Sequence, residues 1–148
     1  ISLSISQTTI SRNSSANGYI WPTNATRLVS SPYGWRNCPY HGREFHNGSD
    51  IAASWGTAVL AACAGTVLSV EEDPLLGTTV VLDHGDGYQT TYANLADKPD
   101  AAAGDKVNAG EAIGTVGTTA AAGDAAPHLH FAVSREGKAV NPQEFLEK

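Results

Sequence analysis

Two short segments of this chain bring together the residue types from which a metal centre is built. His46-Asn47-Gly48-Ser49-Asp50 supplies an imidazole and a carboxylate, and Pro127-His128-Leu129-His130-Phe131 supplies two further imidazoles. Zinc takes nitrogen and oxygen donors in a tetrahedron, and a catalytic site holds it with three protein ligands so that the fourth position stays open. His46, Asp50 and one histidine of the pair meet that count and leave one imidazole over as a proton acceptor. A single histidine is more often a surface or hydrogen-bonded residue than a ligand, but three of the chain's five histidines fall in these two segments. His84, within Asp83-His84-Gly85-Asp86-Gly87, and His41, beside Gly42, read as turn and loop residues without a chemical role.

The spacing acquires meaning once the backbone state is set. His128-Leu129-His130-Phe131-Ala132-Val133 has the composition of a strand, in which residues i and i+2 share a face about 7 Å apart. Both rings can then enter one cavity while Leu129 points the other way into a core. Asn47-Gly48 is a turn signal, which places His46 in a loop and Asp50 at the start of a strand Asp50-Ile51-Ala52. From Thr57 onward, extended segments alternate with turns: Thr57–Cys63, Gly65–Val70, Thr78–Asp83, Tyr88–Leu95, Val107, Ile113–Val116 and His128–Ser134. Gly85-Asp86-Gly87, Asn108-Ala109-Gly110 and Arg135-Glu136-Gly137 are expected to close hairpins. The expected fold class is all-β, mainly antiparallel and hairpin-rich, with one short helical turn over Pro142–Leu146. On the strand Tyr88–Leu95, period two places Tyr88, Thr90, Tyr92 and Asn94 on one face.

A chain of 148 residues with 41% hydrophobic content suits one domain with a sizeable core. Many Val, Ile, Thr and Gly among the aromatics fit a strand-rich interior. The formal net charge is -6, and no Lys/Arg cluster supplies the basic stripe that nucleic acid requires. Glu71-Glu72-Asp73 is the one acidic run and reads as a solvated loop. No stretch approaches the ~18 apolar residues of a membrane span, and no signal peptide is visible, so no membrane contact is expected of this segment. Residues 1–18, rich in Ser, Thr and Asn, read as an arm or linker leading into a domain over 19–148. The start at Ile1 suggests a fragment whose export signal or anchor lay upstream. Cys38 and Cys63 lack the spacing of a zinc knuckle or redox motif. A disulfide between them would close a loop around the His46–Asp50 segment in an oxidising compartment; the alternative is two unrelated thiols.

Several blocks, in order, resemble the lysostaphin/LytM-type zinc endopeptidases that cut peptide cross-links in bacterial cell walls. They are Trp21-Pro22, Ser30-Ser31-Pro32-Tyr33-Gly34-Trp35-Arg36, Phe45-His46-Asn47-Gly48-Ser49-Asp50-Ile51-Ala52-Ala53 and Gly65-Thr66-Val67, then Asp83-His84-Gly85-Asp86-Gly87-Tyr88 and Tyr92-Ala93-Asn94-Leu95. Gly110-Glu111-Ala112-Ile113-Gly114, Pro127-His128-Leu129-His130-Phe131 and Val140-Asn141-Pro142 complete the series. The resemblance runs from about residue 19 to the end. A weaker similarity of Gly104–Gly114 to the hairpin of biotin- and lipoate-carrier domains lacks a well-displayed lysine, Lys98 being a poor candidate.

The resemblance implies one Zn2+ per chain held by His46, Asp50 and His130, with His128 as general base. It also implies an extracytoplasmic location, bacterial cell-wall peptides as substrate, and Tyr92 and Tyr88 as aromatic walls of a peptide groove. Three positions depart from the family pattern. Asn94 stands where the family has a second catalytic histidine; it can donate a hydrogen bond as a weaker oxyanion partner but cannot become a cation. Losing such a donor can cost about 10²–10³ in turnover. Ala132 replaces an acidic residue after His130-Phe131, and the loop 117–126 is alanine-rich and expected to shape the cleft differently. Members that scaffold assemblies outside the membrane, as in sporulation channels, have lost site residues. Asn94 therefore also admits an inactive module that binds the wall or docks an extracytoplasmic protein partner.

Overall fold

The computed structural model describes residues 20–23, 29–38, 42–74, 76–117 and 127–146. Within them β-branched and aromatic residues alternate with glycine turns, and the chain forms strand after strand. These are β1 (Val29–Ser31), β2 (Gly34–Cys38), β3 (Gly42–His46), β4 (Ser49–Ala52), β5 (Ala58–Leu60) and β6 (Gly65–Asp73). They continue with β7 (Gly77–Gly85), β8 (Tyr88–Leu95), β9 (Lys106–Val107), β10 (Ala112–Thr115), β11 (His128–Arg135) and β12 (Lys138–Val140). An antiparallel eight-stranded sheet runs β1-β4-β11-β8-β7-β6-β9, with β12 paired to β11; β5–β10 and β2–β3 form two small sheets. The all-β expectation holds. The short helical turn is a 3-10 turn over Pro142–Glu144, capped by the Asn141 side chain accepting from the Gln143 N–H.

One apolar cluster joins the large sheet to the β5–β10 pair. Leu129, Phe131 and Val133 of β11 meet Ile51 of β4, Tyr92 of β8, Val80 and Leu82 of β7, and Val59 and Ile113 from the smaller sheet. The alternation Leu129, Phe131, Val133 inward sends His128, His130 and Ala132 to the opposite face. The core thus fixes which side of the sheet carries the candidate site.

Two expectations about connections change. Gly85-Asp86-Gly87 and Arg135-Glu136-Gly137 do close the β7–β8 and β11–β12 hairpins; Glu136 and Gly137 take φ of 52° and 82°, the left-handed pair a two-residue hairpin turn needs. Asn108-Ala109-Gly110 does not, because β9 pairs with β6 while β10 pairs with β5. That turn carries the chain between sheets, tied down by the Gly110 N–H on the Ala61 carbonyl at 2.8 Å. The β2–β3 hairpin, absent from the sequence reading, puts His46 at the end of a strand instead of in a loop. The N-terminal arm, His41 and residues 118–126 lie outside the described residues. Cys63 is a buried thiol whose ionisation is pushed up to about 11 by desolvation. The Cys38 side chain lies outside the described residues, and no bridge to it is part of the described structure.

Candidate metal centre

The centre is assembled where β3, β4 and β11 converge. β4 pairs with β11 in the register His130↔Asp50, so these two side chains stand opposite one another on the same face. His46 arrives through the Asn47-Gly48 turn. A Cβ on Gly48 would sit 2.6 Å from the Phe131 carbonyl oxygen and 3.1 Å from Cε1 of His130, so only glycine lets this turn lie against β11. Close backbone approach brings both ends of His46-Asn47-Gly48-Ser49-Asp50 to the histidine pair.

Three donor groups meet: the ligand atoms of His46, Asp50 and His130 all lie within 4.8 Å of one another. His130 Nδ1 donates to Asp50 Oδ1 at 2.9 Å, and His46 Nε2 lies 3.4 Å from the same oxygen. The two imidazole rings are 5.2 Å apart between centroids. His46 Nδ1 donates to the Pro32 carbonyl at 3.0 Å, which fixes the tautomer and leaves Nε2 as a lone pair facing the carboxylate. A lone pair opposite a carboxylate oxygen is favourable only with a proton or a cation between them. Two tetrahedral ligands at about 2.0–2.1 Å from one zinc ion are about 3.4 Å apart, the separation seen between His46 Nε2 and Asp50 Oδ1. The donor set therefore fits zinc. Burial pushes the Asp50 carboxyl up, but hydrogen bonds and charge from His130 and His46 reverse this and hold it well below the usual carboxylate range.

His128 stands two residues before His130 on the same face of β11, partly exposed and outside the ligand trio. Residue types and spacing left open which histidine of the pair is the ligand, and the family resemblance pointed to His130; it is His130 that converges on Asp50. Asn94 is buried at the other side of β11, where its Nδ2 donates to the His128 backbone carbonyl at 2.8 Å. One N–H of that carboxamide is directed at the β11 backbone.

Tyr92 and Tyr88 are not groove walls. Tyr92 pairs with Phe131 across β8–β11, so it lies on the core face, fully buried, with its ring 5.4 Å from that of Phe131. Tyr88 is buried at the far end of β8 against Phe145 and beneath the Arg135 guanidinium. Tyr88, Thr90 and Tyr92 do share one face, as period two requires, but pairing with Phe131 and Val133 makes it the core face and not the cleft face; the bulge between Tyr92 and Leu95 shifts the phase only beyond Tyr92. Ala93, opposite His130, occupies the site face. An aromatic cluster lies on the β2–β3 ribbon: Tyr33, Phe45 and Trp35 form successive edge-to-face contacts at 5.1 and 5.3 Å, with Phe45 and Trp35 paired one step along the ladder from His46 and on the other face. Trp35 is 62% and Phe45 41% exposed. Neither that cluster nor the Pro32 carbonyl was singled out from sequence, since only the hairpin pairing brings them into place.

A sequence profile of Peptidase family M23 matches residues 44–142. Stage II sporulation protein Q of Bacillus subtilis is 37% identical over 103 residues, which is 68% of this chain and 36% of that protein. A solved zinc-containing peptidase from Vibrio cholerae superposes with a TM-score of 0.76 at 32% identity, covering 84% of this chain and 39% of that one. A chain from the SpoIIQ–SpoIIIAH pore-forming complex superposes with a TM-score of 0.75 at 28% identity, covering 90% and 94%. The chain thus spans about a third of the length of the sporulation relative and a somewhat larger share of the Vibrio peptidase.

Proposed function

The chain belongs to peptidase family M23, and we propose that this domain is a zinc-dependent endopeptidase that hydrolyses peptide bonds of bacterial peptidoglycan outside the cytoplasm. The observation that carries the reading is the convergence of His46, Asp50 and His130 on one point, with His128 beside them on the same strand face. Those three residues would hold one zinc ion per chain. When bound, zinc supplies Lewis acidity that polarises a scissile carbonyl and lowers the pKa of water toward ~7.

The chain's own residues supply the rest. His128, an imidazole without a place in the ligand trio, would take the proton of the attacking water and return it to the leaving amine. His46 is held in the required tautomer by Pro32, and His130 is aligned by its strand pairing with Asp50. The Tyr33–Phe45–Trp35 cluster, in which Phe45 and Trp35 are exposed, is the candidate aromatic surface for substrate in place of the buried Tyr88 and Tyr92. No described helix is long and apolar enough to cross a membrane.

Digestion of purified cell wall tests the proposal, with elemental analysis of zinc alongside. The parent is expected to release peptide fragments with one zinc per chain. Asp50→Ala should lose both metal and turnover, and His128→Ala should lose turnover while keeping the metal. Equal digestion by all three proteins would sink the reading.

A second reading has its own observation. Asn94 replaces the imidazole that the family resemblance leads one to expect, and its amide is bonded to backbone. This supports a module that keeps the fold and the candidate metal ligands but docks a protein partner outside the membrane, a reading in keeping with the similarity to a chain of the SpoIIQ–SpoIIIAH pore-forming complex. A parent that holds stoichiometric zinc yet cuts no wall preparation would favour it.

A further inference from the structure

The ladder between β8 and β11 runs from Arg135↔Tyr88 to His130↔Ala93 and stops there, although both strands continue. The stop coincides with the β8 bulge. Thr78 of β7 pairs with Leu95 and Val80 with Tyr92, so β8 takes three steps where β7 takes two. Within the bulge Asn94 has φ of 65°. Left-handed backbone turns both of its peptide groups away from β11: its N–H donates to the Leu76 carbonyl at 2.9 Å, and its carbonyl accepts from the Gly117 N–H at 2.8 Å. The His128 carbonyl, at the first position of β11, is thereby deprived of a backbone donor from β8. The Asn94 carboxamide takes that place at 2.8 Å.

We infer that Asn94 is a positioning residue for the metal centre, a side-chain rung that completes the β8–β11 ladder where the bulge interrupts it. It holds the end of β11 that carries His128 and His130. Two properties have to coincide at this position: tolerance of left-handed φ, which Asn shows more readily than most residues, and a short side chain bearing an N–H donor. Asn meets both. The inference rests on the reading of His46, Asp50 and His130 as a metal centre, and it gives Asn94 a task independent of whether the domain turns over substrate.

Two variants separate the backbone from the rung. Asn94→Gly keeps the left-handed conformation and deletes the carboxamide, whereas Asn94→Asp keeps shape and left-handed tolerance but replaces the donor with an oxygen that repels the carbonyl. Each is examined by amide hydrogen exchange and by zinc affinity in competition with a chromophoric chelator. Exchange over residues 128–130 is expected to accelerate about tenfold in both variants while β6 and β7 keep their protection. Zinc affinity should fall about tenfold, in the range seen when the outer support of metal ligands is lost. Parent-like exchange and affinity in both variants would overturn the inference. So would uniform acceleration across the sheet with unchanged zinc affinity, which describes general stability. If the parent itself binds no zinc, the metal-centre reading falls, and exchange alone still decides the rung: loss confined to 128–130 supports it and none refutes it.

Discussion

Two buried histidine clusters in this molecule have opposite characters. In the first, His84 lies between strands with both ring nitrogens engaged, Nδ1 2.8 Å from the Ala64 carbonyl and Nε2 2.7 Å from Thr90 Oγ1. Thr90 Oγ1 is 2.8 Å from Tyr92 Oη, which accepts from the Ala62 N–H at 2.9 Å. The two ends fix the outer bonds, since an amide N–H only donates and a carbonyl only accepts. Ala62 N–H and Thr90 O–H both donate to Tyr92 Oη, and His84 Nδ1–H donates to the Ala64 carbonyl. Every polar group in that chain has a partner, and burial favours the neutral imidazole. In the second cluster, His46 Nε2 and His130 Nδ1 converge on the same Asp50 oxygen, at 3.4 and 2.9 Å. A matched chain ending on backbone groups is structural; two imidazoles and a carboxylate converging on one point offer a cation site. The first cluster holds one histidine and the second two, and the convergence of ligand atoms tells them apart.

The largest expected effect breaks the second cluster. Asp50→Ala should lower zinc affinity more than about hundredfold. The parent at zinc a hundredfold above its dissociation constant should gain about 2.7 kcal/mol over the zinc-free protein. Thermal unfolding with and without zinc measures this, and a variant stabilised like the parent would show that the cluster is no metal centre.

Cutting the matched chain should do the reverse. Thr90→Val strands His84 Nε2 and the Tyr92 hydroxyl in the core, at a cost of about 2 kcal/mol in urea unfolding, with zinc affinity unchanged. Loss of zinc binding in this variant would mean that the two clusters are not independent.

Acid should sharpen the same contrast. Burial holds the His84 pKa below its ordinary value of 6.5, partly opposed by its bond to Ala64 and by Asp83. The unfolded chain therefore binds the proton more readily, and stability present above pH 6.5 is lost as pH falls toward the folded value. His84→Gln should lessen the stability difference between pH 7 and pH 5; an undiminished difference would assign it to other groups.

The smallest effect concerns a hydroxyl belonging to neither cluster. Ser49 Oγ, on the core face of β4 beside Phe131, is fully buried without a partner among the described residues. Ser49→Ala should stabilise the protein by up to about 1 kcal/mol, read as a higher urea midpoint. A lower midpoint would show that the hydroxyl has a partner after all.

Taken alone, the amino-acid sequence determined which residues are candidates to hold a metal, the strand character of β11 and the two hairpins closed by glycine. Each of these is a local property: residue chemistry, period-two alternation over a few positions, and turns that need positive φ. Tertiary structure supplied the reason that His130, the histidine the family resemblance points to, and not His128 faces Asp50: the β4–β11 register. It also decided that Pro32 sets the tautomer of His46, since the β2–β3 hairpin has no strong alternation to announce it. Tyr92, Tyr88 and Asn94 mark the limit most clearly. Counting by twos along β8 put all three on one face; for Tyr88 and Tyr92 this held, but the β8–β11 register turns that face into the core, and for Asn94 one extra residue in the bulge moved the phase. Such an insertion is visible only against the partner strand, where the hydrogen bonds of β7 and β11 show which residue has been left over.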